Sequence, residues 1–180
     1  MQPTQSELAE AIATATRSAV LDLFREHRET FYYVTLITTG EAHPPFLVAW
    51  SQEALASEAE KGEPGDECYL KWSYAESPYM CYGDQHFVEV NRLFGLRPRM
   101  TSGMTSAEWD AEFDSRLDAM EVAMKQLDDE GVFGRGDTRA SLFINVEVMP
   151  PDITNTERAL RLNREDSPVL AIWLEEMAEK

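Results

Sequence analysis

Residues 105–130 leave the chain little choice about what they become. Thr105 and Glu108 stand three apart, the spacing at which a threonine hydroxyl and a glutamate carboxylate accept from each other's backbone amides at a helix start. Trp109, Phe113, Leu117, Met120, Met124 and Leu127 then recur every three or four residues, and Gly131 follows as a stop. The pattern predicts an amphipathic helix of about seven turns, the longest in the molecule. Its apolar stripe has to be buried, so the rest of the chain must provide a layer to cover it.

That layer is legible in pieces. Residues 5–28 carry Leu8, Ile12, Ala15, Ala19, Leu23 and Phe24 at helical spacing. Phe31–Ile37 is a β-branched and aromatic run of strand type, and Phe46–Trp50 is a second one beyond the turn Thr39–Pro45. So short a connection predicts an antiparallel hairpin. Ser51 can cap a helix reaching Lys61, stopped by Gly62, Pro64 and Gly65. Tyr69–Tyr74 reads as a third strand and His86–Phe94 as a helix. Leu142, Ile144, Val146 and Val148 alternate with Phe143, Asn145 and Glu147, which predicts a strand with one buried face. Thr154 and Glu157 repeat the capping-box spacing ahead of a short helix to Leu162. Ser167-Pro168 opens a last helix with Leu170, Trp173, Leu174 and Met177 inward. The expected fold is a single α+β domain over residues 1–180, a mostly antiparallel sheet covered by helices. A chain of 180 residues can bury roughly 70% of its unfolded surface in one core.

Charge narrows the functional classes. Thirty-three Asp and Glu against sixteen Lys and Arg give a net −17. Nucleic-acid backbones and anionic membrane surfaces need clustered cations, so neither is an expected partner. No apolar run approaches the ~20 residues of a membrane span. Met1–Glu10 lacks the basic and apolar regions of a signal peptide, and two cysteines do not make a secreted disulfide framework. The expected location is the cytoplasm.

No familiar site chemistry accompanies the charge. Cys68, Cys81 and His86 give three scattered metal-ligand types where structural zinc wants four, and Cys81 with His86 as nucleophile and base is a pairing any chain this long offers by chance. Gly131-Val132-Phe133-Gly134-Arg135-Gly136 follows a helix and precedes a strand, the reverse of a phosphate loop. No metal, cofactor or catalytic residue is expected. The acids themselves are the feature. Asp110, Asp114, Asp118, Glu121 and Asp128 form a ridge beside the apolar stripe of 105–130, broken in sign by Lys125 alone. Like charges at i,i+4 cost roughly 0.2–0.5 kcal/mol per pair. A solvated face accounts for them; recognition of a basic partner accounts for the uncompensated repulsion as well. Residues 51–67 add six acids against Lys61.

Several stretches resemble one family in order along the chain: Phe31-Tyr32-Tyr33-Val34-Thr35-Leu36, then Leu70-Lys71-Trp72-Ser73-Tyr74-Ala75-Glu76, Phe133-Gly134, Asn145-Val146 leading to Pro151-Asp152, and Leu160-Arg161-Leu162-Asn163. The chain is similar to the bacterial domain-of-unknown-function family 4303, single-domain proteins found in part among polymorphic-toxin immunity genes. The resemblance implies no catalytic residues. Trp72 and Ser73 fall at the family's most recognisable spot and join the ridge as candidate partner-binding residues, although Trp72 reads equally well as core. The expected function is an acidic cytoplasmic binding protein of the immunity type, neutralising a cognate basic protein toxin by direct contact. A small carboxylate-using hydrolase and a metabolite-binding regulatory domain are the alternatives.

Overall fold

A computed structural model describes residues 2–63 and 65–179. Helix α1 (Gln5–Glu26) opens on a capping box between Thr4 and Glu7, and it buries Leu8, Ile12, Ala15, Ala19 and Leu23. Strands β1 (Phe31–Thr39) and β2 (Phe46–Ser51) pair antiparallel, from Phe31 opposite Ser51 to Ile37 opposite Phe46, as the short turn requires. A bulge lies between Phe31 and Tyr33. Such an extra residue kinks the strand and re-aims its side chains, and both Tyr32 and Tyr33 meet the Trp72 ring edge-on, at 5.4 and 5.7 Å.

The Ser51 hydroxyl caps α2 (Gln52–Ala59), which ends ahead of Gly62; Pro64, expected to help stop it, lies outside the described residues. Tyr69–Tyr74 is not a strand. It contains the end of the single turn α3 (Glu67–Leu70) and a run of turns. Its carbonyls are taken by side chains: Tyr32 Oη donates to Lys71 O at 2.5 Å and Trp50 Nε1 to Ser73 O at 2.7 Å. Of the aromatic residues that mimic a strand pattern, Trp72 packs on the sheet and Tyr74 meets Phe46, while Tyr69 is exposed. A 3₁₀ turn, Asp84–Phe87, leads into α4 (Val88–Phe94).

Helix α5 (Ser106–Glu130) is the longest at 25 residues, against 22 in α1. It starts on the Thr105–Glu108 capping box and ends on Gly131 in a left-handed conformation (φ 84°), which glycine adopts without a Cβ penalty. Leu117, Met120, Met124 and Leu127 are buried, but Trp109 and Phe113 are only half-buried. In its first turns the inward face is taken by Glu112 and Arg116, which form an ion cluster with Arg97.

The glycine-rich loop leads into α6 (Gly136–Ala140), followed by β3 (Phe143–Met149), α7 (Ile153–Leu162) and α8 (Pro168–Glu176). The sheet order is β2-β1-β3, with β3 parallel to β1 and Tyr33 beside Phe143. The fold is α+β as expected, and the three-stranded sheet is mixed: the chain from β2 to β3 is long enough for the crossover that a parallel pairing demands.

Residues 143–148 are buried on both faces, where alternation predicts one. Phe143 stacks on Trp173 of α8 at 4.8 Å, while α5 and α7 also contact the strand. Helix α7 seals its free edge with side chains. Asn163 Oδ1 accepts from Ile144 N and its Nδ2 donates to Ile144 O; Asn155 does the same for Val148; Arg158 Nε donates to Val146 O. Two amides and a guanidinium thus stand where a fourth strand would pair, which removes an exposed edge. Asp152, not Thr154, caps α7, its carboxylate accepting from Thr154 N at 2.9 Å. An aspartate there also complements the positive helix end. Ser167 caps α8 with Pro168 in its first turn; Met177 lies past the last turn and is exposed, and Leu174 is half-buried.

Candidate functional site

Nine carboxylates lie on α5, and the fold sorts them. Glu108 belongs to the cap. Glu112 binds Arg97 and Arg116, Glu130 binds Arg17 at 2.6 Å, and Asp129 faces Lys125 at 3.7 Å. Two members of the ridge are also paired. Glu121 accepts from Arg161 Nε and Nη2 at 2.7 and 2.8 Å, and this contact holds the Arg161 guanidinium above its ordinary range. Asp128 accepts from the buried Arg139, whose remaining donors reach Leu142 O and Leu162 O. Asp110, Asp114 and Asp118 are exposed, spaced four apart, and have no ion pair among the described residues. The five-residue ridge is therefore three free carboxylates and two structural ones. Arg139 and Arg161 lie on α6 and α7, so nothing local in the α5 sequence distinguishes the two groups.

Trp72 and Ser73 do not join this face. Trp72 is buried, its ring against Tyr32, Tyr33 and Phe143, and its Nε1 donates to Glu176 at 2.6 Å beside the Lys71–Glu176 ion pair. Ser73 serves through its carbonyl. Trp72 holds the segment to α8 and the sheet, and Ser73 holds it to Trp50 of β2. Of the acids in 51–67, Glu53 accepts from Thr30, Glu58 pairs with Lys61 and Asp66 accepts from Glu63 N, while Glu60, Glu63 and Glu67 are exposed.

One ionisable group escapes the sequence reading altogether. Glu147 points into the core and accepts from Tyr33 Oη at 3.0 Å. Burial raises it from 4.5 to about 7, against the opposing pull of Tyr33, Thr35, Asn145 and Arg158. Tyr33 is in turn pushed well above its usual range, first by burial and then by the neighbouring carboxylate. Alternation puts Glu147 with Phe143 and Asn145 on the face opposite Ile144, Val146 and Val148, and only the burial of both faces carries it inside. A carboxyl near neutrality is poised for proton transfer. Yet the other buried carboxylate, Glu112, lies on a different element and is committed to two arginines, so the two do not form an acid–base pair.

Cys68 and Cys81 are exposed, and partial desolvation, then the nearby Asp84 carboxylate, raises the Cys81 thiol. His86 Nε2 lies 2.8 Å from Asp22 Oδ2. Among the described residues no group of three or more His, Cys, Asp or Glu could hold a metal, and no helix is long and apolar enough to cross a membrane. The 131–134 turn lines a cavity of about 510 Å³ with Phe24, Phe31 and Leu142 and with polar residues such as Thr30 and Ser141. Glu29 at its wall accepts from Tyr79 Oη at 2.7 Å and from Ser51 Oγ.

A family model described as a domain of unknown function, DUF4303, matches residues 12–164. Neither curated proteins nor solved structures gave a match.

Proposed function

The chain belongs to the DUF4303 family, and we propose that this member is an acidic binding protein of the immunity type that neutralises a basic protein toxin by covering its active cleft. One observation carries the reading. The fold neutralises five of the nine carboxylates of α5 with arginine or lysine and leaves Asp110, Asp114 and Asp118 exposed at contact spacing. Solvation tolerates such a row; complementarity to a cationic surface gives it a use. A net −17 steers a basic partner inward and raises its association rate. Toxins that act on nucleic acids or nucleotides carry the cationic clefts that this charge would fit.

Co-expression with the protein encoded beside its gene tests this reading. The expected outcome is rescue of growth and recovery of a stoichiometric complex. Failure of both would remove the immunity assignment and leave the hydrolase and the metabolite-binding domain as the readings to test.

A further inference from the structure

Of the six buried or half-buried Lys and Arg among the described residues, Arg17, Arg139 and Lys71 face one carboxylate each, Glu130, Asp128 and Glu176, and Arg158 bonds to Val146 O and Asn155 Oδ1. The other two, Arg97 and Arg116, meet at one cavity. Between the loop ahead of β2, α4 and the first half of α5 lies a space of about 410 Å³, lined by His43, Asn91, Phe94, Arg97, Arg99 and Arg116 among others, and no carboxylate is in its wall. In a chain with twice as many acids as bases, this is where positive charge collects.

The arginines are held in place from behind. Glu112 accepts from Arg97 Nε and Nη2 at 2.9 and 2.5 Å and from Arg116 Nε at 2.7 Å. Arg97 Nη1 reaches Pro3 O, while Arg116 Nη1 and Nη2 reach Ala42 O and Pro98 O. The Arg116 guanidinium lies 5.5 Å from the centre of the Phe94 ring. Both side chains are at most 9% exposed. Two guanidiniums share one carboxylate, so one positive charge stays uncompensated, and a buried charge without a partner is costly. Arg99 adds a second charge at the mouth and has no ion pair among the described residues. A guanidinium carries five N–H donors; the bonds above leave two free on Arg116. Rigid donors, excess positive charge and a cavity within the usual range for small ligands meet in one place.

We propose that this cavity binds a small polyvalent oxyanion, a metabolite's phosphate or carboxylate groups, with Arg99 capturing it and the Arg97–Glu112–Arg116 cluster forming the fixed floor. The assignment is independent of the acid face, and of any basic partner. It differs from a purely structural ion cluster, which accounts for Glu112 but leaves the surplus charge without a use.

Titration calorimetry of the full chain with inorganic pyrophosphate, and in parallel with citrate, tests it. The expected result is one equivalent bound, and the preferred probe distinguishes a phosphate-bearing ligand from a carboxylate-bearing one. Arg99→Ser, at an exposed residue with no ion pair to lose, should fold normally and bind about tenfold more weakly or worse. Arg164→Ser, removing a surface arginine paired with Asp166, should bind like the parent. Absence of saturable binding by either anion up to about 10 mM, or undiminished affinity in Arg99→Ser, would overturn the proposal.

Discussion

Replacing Asn163 by alanine should remove about 2–6 kcal/mol of folding stability, since two buried backbone groups lose their partners at about 1–3 kcal/mol each. The groups are the N–H and C=O of Ile144, which Asn163 meets at 3.0 and 2.7 Å, and the same side chain also donates to Ala159 O at 2.9 Å. Against a typical total of about 5–15 kcal/mol that loss is large. It would also uncover the β3 edge to other chains, so the variant should aggregate on mild warming. Leu160→Ala, three residues away at a site 53% exposed, should shift stability by no more than about 0.5 kcal/mol. Urea unfolding of the two variants checks both statements. A loss below about 1 kcal/mol in Asn163→Ala would mean that water replaces the amide and that α7 does not seal the sheet.

The second large effect is a pH dependence. Glu147 titrates near 7 in the folded chain against 4.5 unfolded, and burial is the cause. The folded state therefore holds the proton more tightly. The stability this gives is fully present below pH 4.5 and is lost as pH rises through 7. At 1.36 kcal/mol per unit, the interval between those two values is worth about 3 kcal/mol. Glu147→Gln keeps an acceptor for Tyr33 Oη and removes the titration, so it should be more stable than the parent at pH 8. The gap should narrow towards pH 5. Urea midpoints for the pair across that range would show converging curves; parallel curves would place Glu147 in contact with solvent instead.

The helix α5, the hairpin and the α8 cap are all visible in sequence because each rests on residues within a few positions of one another: Thr105 with Glu108, Gly40 between two strands, Ser167 before Pro168. The misses share a different cause. Tyr69–Tyr74 has strand composition, yet its carbonyls bond to Tyr32 and Trp50, residues far back in the chain. Alternation in 142–148 is genuine, but helices lie on both faces of β3, so Glu147 ends inside. Within the candidate site, Asp118 and Glu121 have the same chemistry and nearly the same place on the helix. Only the return of α7, bringing Arg161, makes one structural and leaves the other exposed. The Arg97–Glu112–Arg116 cluster was hidden likewise, because a glutamate and an arginine four apart on a helix look like a surface pair until the 97–98 loop folds over them.

The three unpaired aspartates of α5 can be separated from its paired acids by substitution. Asp110→Asn, Asp114→Asn and Asp118→Asn together should leave the fold intact, because none of the three holds an ion pair among the described residues. Glu121→Gln should instead loosen α7 and leave association unaltered, since its carboxylate is already occupied. The decisive measurement is the association rate with the partner protein at low and high salt, for the parent and the triple variant. The triple variant should associate more slowly at low salt and show a flatter salt dependence, with the two proteins converging at high salt where surface charge is screened. An unaltered rate and an unaltered salt slope would contradict this, and would make the row Asp110–Asp114–Asp118 a solvated helix face and nothing more.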